Sequence, residues 1–143
     1  MREYLYVDAS AVVKRYRNEI GRDEAVAAMD AASGVVSSRL TYVEVGRAIQ
    51  AITDDDDLTL LNDWNLAWAQ HQVIEVDDEI AAHALSLACY HGLRSSDAVH
   101  LASALTLKVP MRFATWDARL WEAARAVGLR VVPTTKPGLP APA

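Results

Sequence analysis

With a single cysteine, Cys89, the chain cannot form an internal disulfide, and a reducing compartment is its simplest setting. No apolar run approaches the ~20 residues needed to span a bilayer. The N-terminal Met1-Arg2-Glu3-Tyr4 leads straight into a strand-like segment rather than a basic region and signal-peptide core. A soluble, cytoplasmic protein without membrane contact is therefore expected. Glycine is also sparse: the 6 present are scattered and form no phosphate-cradling loop. Positive charge is short as well, 14 Lys+Arg against 19 Asp+Glu giving a net charge of -5, which excludes a surface that coats DNA through general positive potential. A local basic rim stays open, because most of these cations are arginines, whose planar fork suits phosphate. The histidines, His71, His83, His91 and His100, lack the paired spacing of zinc motifs and read as surface or core residues; His100 stands out only by lying one turn from Asp97. Internal repeats are absent.

What is present suits one domain. The chain has 143 residues, of which 52% are apolar and 23% charged, enough to build a core without disulfides or a structural metal. Residues 1–133 read as that domain and the Pro-rich 134–143 as a flexible tail. Tyr4-Leu5-Tyr6-Val7 is a buried-strand pattern ending at Asp8, and Ser10 reads as the cap of a helix from Ala11 to Arg17. Further helices are expected over 22–32, 40–52, 58–69, 77–91, 96–107 and 118–127, with strands at 35–36, 73–76, 111–115 and 130–132. Such interleaving predicts a three-layer α/β/α fold around a mainly parallel sheet of about five strands. The acidic run Asp54 to Asp57 reads as a solvated loop ending in a helix cap, since a calcium loop would alternate its acids and carry a glycine. Trp64 and Trp68 suit either the core or an interface, and Cys89, in an apolar helix, reads as packed.

Ligands of open parallel sheets collect beyond the carboxyl ends of the strands. Asp8 ends the first strand and Asp117 follows the strand 111–115, although either acid alone also suits a turn or a helix cap. Glu44 lies one turn before Ala48 and borders the buried stripe of its helix. Asp97, in the first turn of another helix, shares a stripe with Leu101 and Ala104, while its position also complements the helix dipole. Carboxylates gathered in one cleft repel one another unless a cation neutralises them, and oxygen-only donors favour Mg²⁺ or Mn²⁺ over Zn²⁺.

The motifs that carry these acids resemble those of PIN-domain ribonucleases, specifically the small VapC-like toxins of bacterial toxin-antitoxin pairs. They are Tyr6-Val7-Asp8-Ala9-Ser10, Leu40-Thr41-Tyr42-Val43-Glu44, Leu93 to Ala102 with its Arg94-Ser95-Ser96-Asp97-Ala98, and Ala114-Thr115-Trp116-Asp117-Ala118-Arg119-Leu120. The likeness spans about residues 3 to 132. It implies that Asp8, Glu44, Asp97 and Asp117 form the metal-binding and catalytic set, with Ser10 and Thr115 as supporting hydroxyls. Asp8 and Asp97 are then the leading ligands, Asp117 the next, and Glu44 acts through water or orients it. The implied activity is Mg²⁺-dependent endonucleolytic hydrolysis of RNA by metal-activated water, Mn²⁺ substituting, which leaves 5′-phosphate and 3′-hydroxyl ends. The implied partners are RNA, a small VapB-like antitoxin and a second copy of the chain.

Some relatives carry a further acid a few residues after the last Asp, where this chain has Arg119 and, beyond it, Glu122. Arg15, Arg39 and Arg94 read either as phosphate contacts at the cleft rim or as solvated helix-end charge. Competing readings fit less well. A haloacid-dehalogenase-type phosphatase wants a second acid where Ser10 stands. A response-regulator-like domain wants paired acids near its first strand and a lysine near its last, for which Arg130 and Lys136 are poor substitutes. A PIN scaffold acting as a non-catalytic RNA- or protein-binding module is the remaining alternative.

Overall fold

A computed structural model describes residues 3–138. Five strands, all parallel, form one sheet in the order β3-β2-β1-β4-β5: β1 Tyr4–Val7, β2 Val35–Ser38, β3 Gln72–Ile74, β4 Met111–Ala114 and β5 Arg130–Val132. Seven helices connect them: α1 Ala9–Val12, continued by a 3₁₀ turn at Val13–Arg15, α2 Arg22–Ala31, α3 Arg39–Ile52, α4 Thr59–Trp68, α5 Asp78–His91, α6 Ser95–Ala104 and α7 Ala118–Ala126. This is the expected three-layer arrangement.

Strand alternation divides the core. Along β1, Leu5 and Val7 join Val12, Met29, Val45, Ile49 and Trp64 beneath α1 to α4, whereas Tyr6 joins Phe113, Leu87, Leu101 and Leu120 beneath α5 to α7. Tyr6 stacks on Phe113, its register partner on β4, with ring centroids 5.1 Å apart. Trp64 lies in the core and donates its indole N–H to the carbonyl of Tyr42 at 3.1 Å.

The chain first builds outward from β1 through β2 to β3, then returns to the other side of β1 to lay down β4 and β5. The reversal falls between β1 and β4, so the segments that leave these two strands diverge at the place where such sheets open a crevice. Asp8 leaves β1 there, and Thr115 to Asp117 leave β4.

Several boundaries differ from those read in the sequence. Asp8, not Ser10, caps the first helix: its carboxylate accepts the Ala11 N–H at 3.1 Å, while the Ser10 hydroxyl is engaged elsewhere. Helix α6 stops at Ala104 because the amides of Thr106 and Leu107 turn back onto the carbonyls of Ser103 and Ala104, both at 3.1 Å. Strand β3 runs one residue earlier at its start, in register with Val36 to Ser38, and ends where β2 ends. Cys89 is exposed rather than packed, because the buried face of α5 runs through Ile80, Ala84 and Leu87. Asp57 receives the Thr59 N–H at 3.0 Å at the start of α4, and the acids before it are exposed. In the Pro-rich end, the Trp121 indole donates to the Pro133 carbonyl at 2.7 Å and Lys136 pairs with Glu122 at 2.7 Å; residues 139–143 of the expected tail lie outside the described residues.

Candidate functional site

Asp8 follows directly from β1 and is almost fully buried, 3% exposed. Its Oδ1 accepts from the Ser10 hydroxyl at 2.6 Å and from the Ala11 amide, and its Oδ2 accepts from the Thr115 hydroxyl at 2.6 Å. The same hydroxyls bind the segment after β4: Ser10 Oγ accepts the Trp116 N–H at 2.8 Å, and Thr115 Oγ1 accepts the Asp117 N–H at 3.1 Å. Ser10 and Thr115 thus clamp the two diverging chain segments together and fix the Asp8 carboxylate between them. Burial holds Asp8 above the ordinary carboxylate range, against the opposing field of His100 and these hydrogen bonds.

Asp117 caps α7 through Oδ1, which accepts the Leu120 N–H at 2.9 Å, and leaves Oδ2 for Arg94. Asp97 lies in the first turn of α6 and is also largely buried. The Arg94 guanidinium spans the two, with Nε 3.0 Å from Asp97 Oδ2 and an Nη 2.9 Å from Asp117 Oδ2. Burial first and the charge of Asp117 second raise Asp97 above the usual carboxylate range, with Arg94 opposing. Arg94, Asp97, Asp117, Ala118 and Arg119 line a cleft of about 300 Å³.

Glu44 projects from α3 toward α6, where its Oε1 meets His100 Nε2 at 2.6 Å. His100 in turn meets the Tyr6 hydroxyl through Nδ1 at 2.8 Å. Burial, reinforced by the charge of Asp8, pushes the Tyr6 phenol well above its ordinary range and keeps it protonated. Spacing along one chain cannot reveal a partner 56 residues away, and the place of His100 one turn after Asp97 is its one signal in the sequence.

The fields of these groups overlap. His100 acts on both Asp8 and Asp97, Asp117 acts on Asp97, and Glu44 acts on Arg94. Yet each carboxylate is answered by its own protein donor: Asp8 by hydroxyls, Asp97 and Asp117 by Arg94, Glu44 by His100. Among the described residues, no three acid, histidine or cysteine side chains already surround one point as a closed metal cage. The donor set is nonetheless all carboxylate, with two members, Asp8 and Asp97, buried and raised, and two, Asp97 and Asp117, sharing a single guanidinium. That chemistry fits a hard, hydrated divalent cation that takes few protein ligands.

Of the other arginines considered for phosphate, Arg15 pairs with Asp30 at 2.6 Å and Arg39 with Glu75, both outside this cluster, whereas Arg94 lies within it. Arg119 lines the cleft beside Arg94, Asp97 and Asp117.

The family model described as PIN domain matches residues 5–126. Ribonuclease VapC45 and Ribonuclease VapC49, both of Mycobacterium tuberculosis, are each 42% identical over 136 residues, covering 90% of this chain and 94% of the relative. A toxin-antitoxin complex from Klebsiella pneumoniae contains a chain of the same fold, with a TM-score of 0.71 at 17% identity, covering 92% of this chain and 98% of that one.

Proposed function

The chain belongs to the PIN-domain family, and from that premise we propose that it is an endoribonuclease, the toxin of a toxin-antitoxin pair, working with a divalent cation at its strand-end carboxylates. The observation that carries this reading is the Asp8 carboxylate, buried at the point where the strand order reverses and clamped by Ser10 and Thr115 beside the Asp97 and Asp117 pair. Asp8, Asp97 and Asp117 would hold Mg²⁺, or Mn²⁺ in its place, with Glu44 ligating or orienting water at the edge. When bound, such an ion supplies a low-pKa water and offsets charge on the phosphoryl oxygens.

The protein's own groups divide the remaining work. Ser10 and Thr115 hold Asp8 in one orientation. Arg94 grips the outward oxygens of Asp97 and Asp117, so it competes with a cation for them and, once displaced, stands at the cleft rim as a phosphate contact. Single-stranded or looped RNA suits an open cleft, since its bases can be splayed out whereas an A-form duplex hides its deep groove.

The proposed partners are a small VapB-like antitoxin and a second copy of the chain, in the cytoplasm. Support comes from large apolar side chains left in solvent, Val43 on α3, Leu66 on α4, and Leu85 and Tyr90 on α5. No helix among the described residues is long and apolar enough to cross a membrane. Co-purification of a small protein and the elution volume of the isolated chain test these assignments.

Incubating the purified protein with RNA in Mg²⁺ or Mn²⁺, against a chelator control, tests the activity. Cleavage should leave 5′-phosphate and 3′-hydroxyl ends and stop on chelation. Asp8→Asn should lose at least about 100-fold, the scale of removing one preorganised electrostatic contact from a transition state. Cleavage that persists in chelator or in Asp8→Asn sinks the proposal. A non-catalytic binding module is the second reading, favoured by the hold of Arg94 on two of the acids; metal-supplemented protein that binds RNA without cutting it would select that reading.

A further inference from the structure

His100 is 1% exposed and has both ring nitrogens occupied by residues from two other elements, Tyr6 of β1 at 2.8 Å and Glu44 of α3 at 2.6 Å. A carboxylate only accepts, so Nε2 carries the proton at the Glu44 contact, while Nδ1 meets the Tyr6 hydroxyl on the other side. The ring is thus fixed in position by a buried phenol on one side, and on the other it holds one oxygen of a carboxylate that is only half-buried. Tyr6 lies two residues before Asp8 on β1, and His100 lies three after Asp97 on α6. The chain Tyr6–His100–Glu44 therefore ties the third acid-bearing element, α3, to the two that carry Asp8 and Asp97.

We propose that His100 is a positioning residue for the metal centre, which, braced by Tyr6, holds Glu44 Oε1 so that the other carboxylate oxygen faces the Asp8 and Asp97 side. Glu44 has free rotors along its side chain, and an unheld glutamate would spend most of its time in solvent or on Arg94. Outer-shell partners of this kind orient metal-bound carboxylates, and their loss costs about 10–100-fold in metal affinity or activity. The inference rests on the reading of these acids as a metal site.

Titration calorimetry with Mn²⁺ alone, at one pH, on the full chain separates the two ideas. Wild-type protein should bind and Asp8→Asn should not. His100→Leu, of similar bulk but without a donor, should weaken the affinity by about 10–100-fold at unchanged stoichiometry. His100→Gln, whose amide reaches the Nε2 position, should recover most of that loss, and Tyr6→Phe should lose affinity in the same direction. A purely structural histidine would lower the number of binding-competent molecules and leave their affinity intact, so an unchanged Kd in folded His100→Leu overturns the inference while the metal site stands. Should His100→Leu not fold, Tyr6→Phe decides on the same criterion. Failure of His100→Gln to recover affinity also overturns the inference, and absence of binding by wild-type protein overturns both readings.

Discussion

At the scale of single residues, the site concentrates charge where the fold does not favour it. Asp8 accepts three hydrogen bonds and is still held above the ordinary carboxylate range by burial. A carboxyl whose folded-state pKa is raised stabilises the fold at low pH, and that contribution is lost as pH rises through the folded value, so at neutral pH the Asp8 charge opposes folding. Asn has nearly the same shape and no charge, and the Thr115 hydroxyl can rotate to accept from its amide. We expect Asp8→Asn in chelator to melt at or above the wild-type temperature, on a scale of roughly 2–4 °C per kcal/mol for a domain of this size. Adding Mn²⁺ should raise the melting temperature of wild type by mass action and leave the variant unmoved. A variant that melts well below wild type in chelator would mean that Asp8 acts chiefly as a structural cap. Of this site, the acids themselves were legible, since each follows a strand or borders a helical stripe. What answers each acid was not: Arg94 reaches Asp117 across 23 residues and His100 reaches Glu44 across 56, and local periodicity carries no trace of either.

At the scale of elements, the clamp between the ends of β1 and β4 depends on a close approach elsewhere. Gly21, at the start of α2, has φ +91°, and a Cβ there would stand 2.3 Å from the Trp116 indole nitrogen. Trp116 is the residue whose amide Ser10 holds, and Asp117 follows it. Gly21→Ala must therefore strain its own backbone and displace the indole, a combined cost of about 2–5 kcal/mol. We expect a matching fall in urea-unfolding free energy and, although Gly21 touches no acid, a loss of nuclease activity; unchanged stability with shifted tryptophan fluorescence would show that the indole moves without cost. The expected helices at 11–17 and 22–32 leave this glycine in the connection between them, with no hint of the aromatic ring against it. The Ser10 cap was misread for a related reason: a hydroxyl just before an apolar run ordinarily caps it, and only the partner segment after β4 diverts this one to Asp8 and Trp116. Helix faces proved readable where apolar spacing was regular, as in α3, and unreadable in α5, where apolar residues occur on every side and Cys89 falls on the outer one.

At the scale of the whole molecule, two sets of buried titratable groups pull acid stability in opposite directions. Asp8 and Asp97, both raised, favour the folded state as pH falls. His71 does the reverse. It sits against Trp64 and Trp68, with ring centroids 5.5 and 5.3 Å away, and burial first and the charge of Arg15 second lower it from 6.5 to about 4. A lowered folded-state value means that the unfolded chain takes up the proton first, so the contribution of neutral His71 is complete above pH 6.5 and drains away as pH falls toward 4. Allowing for its partial exposure, the loss is on the order of 2 kcal/mol. The acid limb of the stability curve between these values should therefore belong to a histidine beneath α4, remote from the site, while the raised carboxyls blunt it. His71→Gln keeps a partner for the buried Ser37 hydroxyl, now 3.0 Å from His71 Nδ1, and cannot titrate. Chemical denaturation in chelator at pH 7, 5.5 and 4.5 should show wild type losing stability on each step and His71→Gln, lower at pH 7 for lost aromatic packing, nearly flat or rising. Equal slopes for the two proteins would place the acid sensitivity in the carboxylates instead.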